Sequence, residues 1–311
     1  MRYAVLLVVV LAIAAGGCFK AAGEGPTVVV TSSYPGANAQ TVVDTIAAPI
    51  EQQINGVESM VRLCSESRND GSYVARVQFR PNVDENRIRV LVQNRVSLAH
   101  EILPEAVKRA GVTVKVEAAV QGEKRVAIAL LDRGELGPDA RRRFSEAVVK
   151  RLSAEGAILN PEVFPGPDEK QIYLDIDRTK CAQLGINVAS VFDTLQTAMQ
   201  DKKLGLQAVP YSRTIRLSAD GRKNVDTLKK VTVRSQDGKV IPLSALAEFR
   251  LVDGPAAVYR VDLYPAVRIT GSPPAGKTGQ AAASRCAELA NAQQKSQKDS
   301  AGFTVINLSA P

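Results

Sequence analysis

The chain has 311 residues, enough for two ordinary domains or three small ones, and 45% of them are hydrophobic with no Trp. That composition suits an aliphatic core and excludes a disordered or low-complexity protein, apart from a short polar run over 291–300. The net charge of +8 comes from 40 basic and 32 acidic residues mixed along the whole sequence, which gives no concentrated basic face for nucleic acid.

Residues 1–20, MRYAVLLVVVLAIAAGGCFK, place one Arg before an aliphatic run that ends in small residues and Cys18. That is the layout of a secretory signal over 1–18, and the Cys after small residues suggests lipidation at Cys18, with Ala15 where the bacterial lipoprotein pattern has Leu. An uncleaved anchor and simple secretion stay open as readings. Over 3–17 the run would reach roughly 22 Å as a helix, short of a hydrocarbon core of about 30 Å. The remainder is expected outside the cytoplasm, in the cell envelope, held to a membrane by the lipid or by the N-terminal segment.

Residues 27–33 read as a strand, and Asn38 as the cap of a helix whose Val42, Ile46, Ile50 and Ile54 recur every fourth residue. Pro49 interrupts that helix, and Asn55-Gly56 ends it. A strand over 57–65, a turn at Asn69-Asp70-Gly71 and an alternating strand follow, with Tyr73, Ala75, Val77 and Phe79 on one face. A helix over 84–103 and a strand over 112–116 complete a βαββαβ unit, with two helices on one face of four strands.

The plan then restarts. A strand over 126–131, a helix over 138–154, strands over 158–164 and 171–177, and a helix capped by Asn187 come next. Between 201 and 247 the rhythm breaks into a hairpin (204–217), a short helix (224–230) and a hairpin across Gln236-Asp237-Gly238, which reads as an inserted module. Strands over 257–263 and 266–270, a helix over 279–292 and a final strand over 303–308 close the chain.

No catalytic, cofactor or metal site emerges. The four Cys form no CxxC pair; with Cys18 in the N-terminus, Cys64, Cys181 and Cys286 allow at most one disulfide and are expected as partly buried small residues. His100 is the only His and sits on a solvated helix face. Asp175 and Asp177 alternate on one strand face, as exposed polar residues do. The sequence reads as a non-enzyme without cofactors, and it lacks the adjacent stacking aromatics of an RNA-binding sheet.

Tyr34-Pro35-Gly36-Ala37, Val43-Asp44-Thr45, Ala48-Pro49-Ile50-Glu51 and Ile54-Asn55-Gly56-Val57-Glu58 together resemble the first porter subdomain of resistance-nodulation-division (RND) efflux transporters, hydrophobe/amphiphile branch. Val92-Gln93-Asn94-Arg95-Val96 with Leu103-Pro104-Glu105 extends the likeness. Ile172-Tyr173-Leu174-Asp175-Ile176-Asp177 leading to Leu184-Gly185-Ile186-Asn187 resembles the second porter subdomain, and Gly238-Lys239-Val240-Ile241-Pro242-Leu243 and Pro274-Ala275-Gly276-Lys277 resemble the docking insertion and its return.

The resemblance implies an α+β protein: a first ferredoxin-like porter subdomain over 26–120 and 302–311, a second over 125–200 and 248–296, and a docking-like insertion over 201–247. It implies multidrug efflux as part of or accessory to a transmembrane complex, without a proton-conducting part of its own. RND membrane subunits, a periplasmic adaptor and a homotrimer are the implied partners, with Pro49 a packing kink in a pore-wall helix. The insertion between Met199 and Arg222 is shorter than the family's long docking hairpin, which puts trimer locking in question. Phe164 stands where an aromatic of the drug pocket is expected, ahead of the strand bearing Tyr173, while Arg125 falls near where another aromatic would be. A core or strand-edge role competes for Phe164. A different class of function also fits: a free-standing exported binding protein for an apolar small molecule or peptide.

Overall fold

The computed structural model describes residues 25–34, 37–117, 125–199, 202–204, 213–215, 225–297 and 300–309. The segment 1–18, Cys18 included, lies outside them. The protein is a mixed, sheet-rich α/β chain that divides into a larger unit (Met1–Pro167 and Pro255–Pro311) and a smaller one (Asp168–Gly254).

In the larger unit β1 (Thr27–Ser33) leads into a helix built in three contiguous pieces: α1 (Ala39–Val42), a π-helical turn (Val43–Ala47) and α2 (Ala48–Ile54). Asn38 caps it by accepting the amide N–H of Thr41 at 2.8 Å. The π turn explains how Pro49 is tolerated. A proline lacks the N–H that a regular helix needs and its ring crowds the carbonyl four residues back. Here the preceding turn widens, with Ala48 N–H reaching back to the Val43 carbonyl.

The chain continues through β2 (Met60–Arg68), β3 (Ser72–Phe79), α3 (Glu85–His100), α4 (Glu105–Ala110) and β4 (Thr113–Glu117). All pairings among these strands are antiparallel, in the order β2-β3-β1-β4. The alternation read over 73–79 is realised, because Tyr73, Ala75, Val77 and Phe79 are all buried. They meet Val42, Ile46, Ile50 and Ile54 from the first helix and Ile88, Val92 and Val96 from α3 in one core.

A second run comprises β5 (Val126–Asp132), α5 (Pro138–Ala154) and β6 (Leu159–Phe164). After the smaller unit come strands that take part in the same sheet and a helix packed on it. With β7 (Glu169–Ile176), α6 (Arg178–Gln183), α7 (Val188–Met199), β8 (Lys202–Leu204), β9 (Arg213–Ile215), α8 (Val225–Lys229), β10 (Thr232–Arg234), β11 (Val240–Pro242) and β12 (Ala247–Gly254) assigned to the smaller unit, these are β13 (Ala257–Val261), β14 (Tyr264–Ser272), α9 (Gly279–Ser296) and β15 (Phe303–Asn307). The order in this half is β15-β5-β14, with β6 also on β14. α5 and α9 cover it through Phe144, Val148, Leu152, Cys286 and Leu289. β5 is buried along its whole length, as its unbroken apolar run requires.

Two boundaries differ from those read in the sequence. The last strand, 303–307, bonds to β5 rather than joining the strands of residues 26–120, because Phe303 stacks on Phe144 of α5 at 4.5 Å between ring centres. The strand over 171–177 does not join β5 or β6. It pairs along its full length with β12 in the smaller unit, from Ile176 opposite Ala247 to Glu169 opposite Gly254. Ile176 and Phe249 of that ribbon pack against a core of Cys181, Ile186, Val191, Val233, Leu243 and Leu246 from α6, α7 and the segments after them, so the module there begins at Asp168, earlier than the expected 201. The two hairpins and the short helix read over 201–247 are present as β8–β9, β10–β11 and α8.

Candidate functional site

The most concentrated polar chemistry lies where the two halves of the large sheet meet. β13 pairs with β2 from Ala257 opposite Arg68 to Val261 opposite Cys64. Because strand side chains alternate in direction, consecutive rungs of this seam carry polar groups to opposite faces.

On the helix-covered face Arg260 stands opposite Ser65. Glu51 of α2 is 1% exposed and accepts the Ser65 hydroxyl on Oε1 at 2.6 Å. Its Oε2 lies 3.4 Å from an Arg260 Nη yet has no hydrogen-bond partner. Arg260 divides its donors, since its Nε and other Nη both bind the Leu263 carbonyl, at 3.2 and 2.6 Å. Burial therefore dominates and pushes the Glu51 carboxyl above its ordinary value, against the opposing Arg260 charge and the Ser65 hydrogen bond. Tyr73 from β3 completes the cluster. Its hydroxyl is buried without a hydrogen-bond partner, and burial, then the Glu51 charge, hold it well above 10.0.

On the opposite face Tyr259 stands opposite Glu66. Arg268 of β14 and Glu66 are both buried and lie 3.1 Å apart, and Arg68 reaches the other Glu66 oxygen at 2.9 Å. The Arg268 guanidinium sits 4.9 Å from the ring centres of both Phe164 and Tyr259, and Arg68 sits 5.2 Å from that of Phe164. Such stacking keeps a buried cation in a favourable field. Burial raises the Tyr259 phenol to about 12 despite the nearby Arg268 charge.

Phe164 is therefore half-buried and packed edge-on to Tyr259 at 6.0 Å, clamped by two guanidinium groups. Tyr173 lies in the smaller unit, where its backbone pairs with Arg250, so the two expected aromatics do not fall in one unit. Cys64, Cys181 and Cys286 are more deeply buried than expected. Asp175 approaches Arg250 at 3.7 Å, and Asp177 caps α6 by accepting the Lys180 amide N–H at 3.0 Å, which holds its carboxyl below the usual value. His100 borders an open depression of about 340 Å³ with Gln93, Val96, Ser97 and Val112. Among the described residues no group of three metal-ligating side chains exists, and no helix is long and apolar enough to cross a membrane.

The seam was not singled out in the sequence. Its one local signal was Glu51, a charge placed four residues after Ala47 and three before Ile54, on the helix stripe that faces the core. Glu66, Arg260 and Arg268 gave none, because each is an ordinary charged residue in a strand until its neighbour is known.

The profile of the AcrB/AcrD/AcrF family matches residues 24–122 and 124–297. The chain belongs to that family. These are RND transporters, as the motifs around Pro49 and Asn94 implied, although the match stops short of the expected end at Pro311. The Escherichia coli K12 multidrug export protein AcrF is 30% identical over 257 residues, covering 81% of this chain and 24% of AcrF. The solvent-resistant pump membrane transporter SrpB of Pseudomonas putida is 32% identical over 197 residues, covering 62% of this chain and 18% of SrpB. A crystal structure of a heavy metal efflux pump aligns with a TM-score of 0.47 at 15% identity, over 93% of this chain and 31% of that one. The matched part thus spans about a quarter of AcrF and less of the other RND relatives.

Proposed function

We propose that this RND family chain forms the porter region of a multidrug efflux transporter, facing the periplasm, and works as part of or accessory to a transmembrane efflux complex. The carrying observation is the family match across both halves of the chain, in order, from residue 24 to 297. Each half contributes strands in the order expected of a split-βαβ unit: β2-β3-β1-β4 in the first, and β6-β14-β5-β15 in the second. On this reading both halves are ferredoxin-like porter subdomains, with residues 168–254 as the docking-like module. β13 is the strand that ties the halves together, and Phe164 belongs to that joint as much as to any ligand surface.

The function follows from family and not from a catalytic set. An RND membrane subunit would supply the driving force, and an adaptor would link the assembly outward. The N-terminal segment, through Cys18 or as a helix, would hold the chain at the membrane. Retention of an apolar fluorescent dye in host cells tests this. Cells lacking the gene should retain more dye than wild-type cells, and restoring the full chain should reverse it. Equal retention in all three would count against an efflux role.

A further inference from the structure

The seam between β2 and β13 is closed from the helix side by a single buried carboxylate. Glu51 from α2 touches β2 through Ser65 and β13 through Arg260, so one side chain bridges three elements. The turn after β13 is anchored as well: Asp262 exchanges hydrogen bonds with Leu63, its amide N–H to the Leu63 carbonyl at 2.8 Å and its Oδ1 accepting the Leu63 amide N–H at 2.9 Å. Charges and titratable groups facing Glu51 are Arg260 from β13 and Tyr73 from β3, with the Ser65 hydroxyl from β2. Tyr73 stays neutral. Among the described residues Arg260 is the cation that faces it, and it is shared with the Leu263 carbonyl.

We propose that Glu51 is a proton-linked lock on this seam: parting β13 from β2 lets water reach the carboxyl and releases its proton, so acid holds the seam closed and rising pH loosens it. The direction follows from burial. In the closed seam the carboxyl is 1% exposed, one oxygen has no hydrogen-bond donor, and its charged form lacks full compensation. In an opened seam water hydrates it and its ordinary titration near 4.5 returns. The closed state therefore binds the proton more tightly than the open one. The lock is complete below the ordinary value and is lost as pH rises through the higher closed-state value. One proton limits the effect to about a tenfold change in opening per pH unit. The inference concerns the joint itself and stands whether or not the chain serves a pump.

Hydrogen exchange of the full 311-residue chain, read by mass spectrometry from about pH 4 to 8 and corrected for intrinsic chemistry, tests it. Exchange in peptides covering 257–263 is compared with that in 279–296. In the wild type the opening ratio should climb with pH by up to about tenfold per unit and then level. In Glu51→Gln it should stay flat at the acid level of the wild type. Arg260→Met removes the charge that opposes protonation and should move the levelling point to higher pH. A wild-type ratio that does not change with pH, or a slope that survives in Glu51→Gln, would overturn the proposal. If Glu51→Gln fails to fold, an unshifted profile in Arg260→Met would do the same.

Discussion

Replacing Arg268 with Met should damage the larger unit more than its ion pair with Glu66 suggests at first sight. The guanidinium is 4% exposed and pairs at 3.1 Å with Glu66, itself 5% exposed. Removing one partner of such a pair leaves the other charge buried, which costs about 3–5 kcal/mol. Arg68 remains 2.9 Å from the second Glu66 oxygen and is 29% exposed, so part of the charge stays compensated and the loss falls toward the lower end. Two cation–aromatic contacts, to Phe164 and Tyr259, disappear with it at about 0.5–1 kcal/mol each, while the Met chain keeps most of the packing. The net is about 4 kcal/mol. For a unit of this size that lowers the thermal midpoint by roughly 8–16 °C, measurable by calorimetry or circular dichroism at pH 7. The double variant Glu66→Leu/Arg268→Met removes both buried charges and should recover to within about 1 kcal/mol of wild type, with Arg68 turning toward water. A single variant within about 2 °C of wild type would refute the reasoning. So would a double variant as unstable as the single one.

Three further outcomes follow from the same geometry. Pro49→Ala should change urea stability by less than about 1 kcal/mol, because the π turn already relieves the ring clash; a gain near 3 kcal/mol would mean that strain persists. Tyr73→Phe removes a buried hydroxyl without a hydrogen-bond partner and should raise the urea midpoint by about 1 kcal/mol equivalent, and a marked loss would show that the hydroxyl is satisfied. Tyr259 titrates near 12 in the folded chain against 10.0 unfolded, so its contribution is intact below pH 10 and is lost as pH rises toward 12. Urea titrations from pH 9 upward should show stability falling more steeply in wild type than in Tyr259→Phe, and equal slopes would contradict the assigned burial.

What could be read in the sequence was whatever has a local cause. The first helix announced its core face through Val42, Ile46, Ile50 and Ile54, and β3 its buried face through Tyr73, Ala75, Val77 and Phe79. Asn38 declared its cap and Gly238 its turn, the latter at a backbone φ of 80° that favours glycine. Pairings between strands distant in sequence have no such local signature. Phe303–Asn307 could border either half by pattern, and only the stacking of Phe303 on Phe144 places it beside β5. β7 alternates as well as any strand, yet its partner is β12, more than seventy residues later, a strand that was not read in the sequence. The seam charges were illegible for the same reason, since Glu66 and Arg268 meet across a separation of 202 residues. Short helices such as α4 and α6 were missed because six residues are too few to show a period.

The efflux assignment is tested most directly by isolating the full chain under mild detergent from its native membranes and identifying what accompanies it. Recovery of an RND membrane subunit or a periplasmic adaptor in stable proportion to the chain is the expected result. A chain that emerges alone, or with proteins of neither kind, would contradict it.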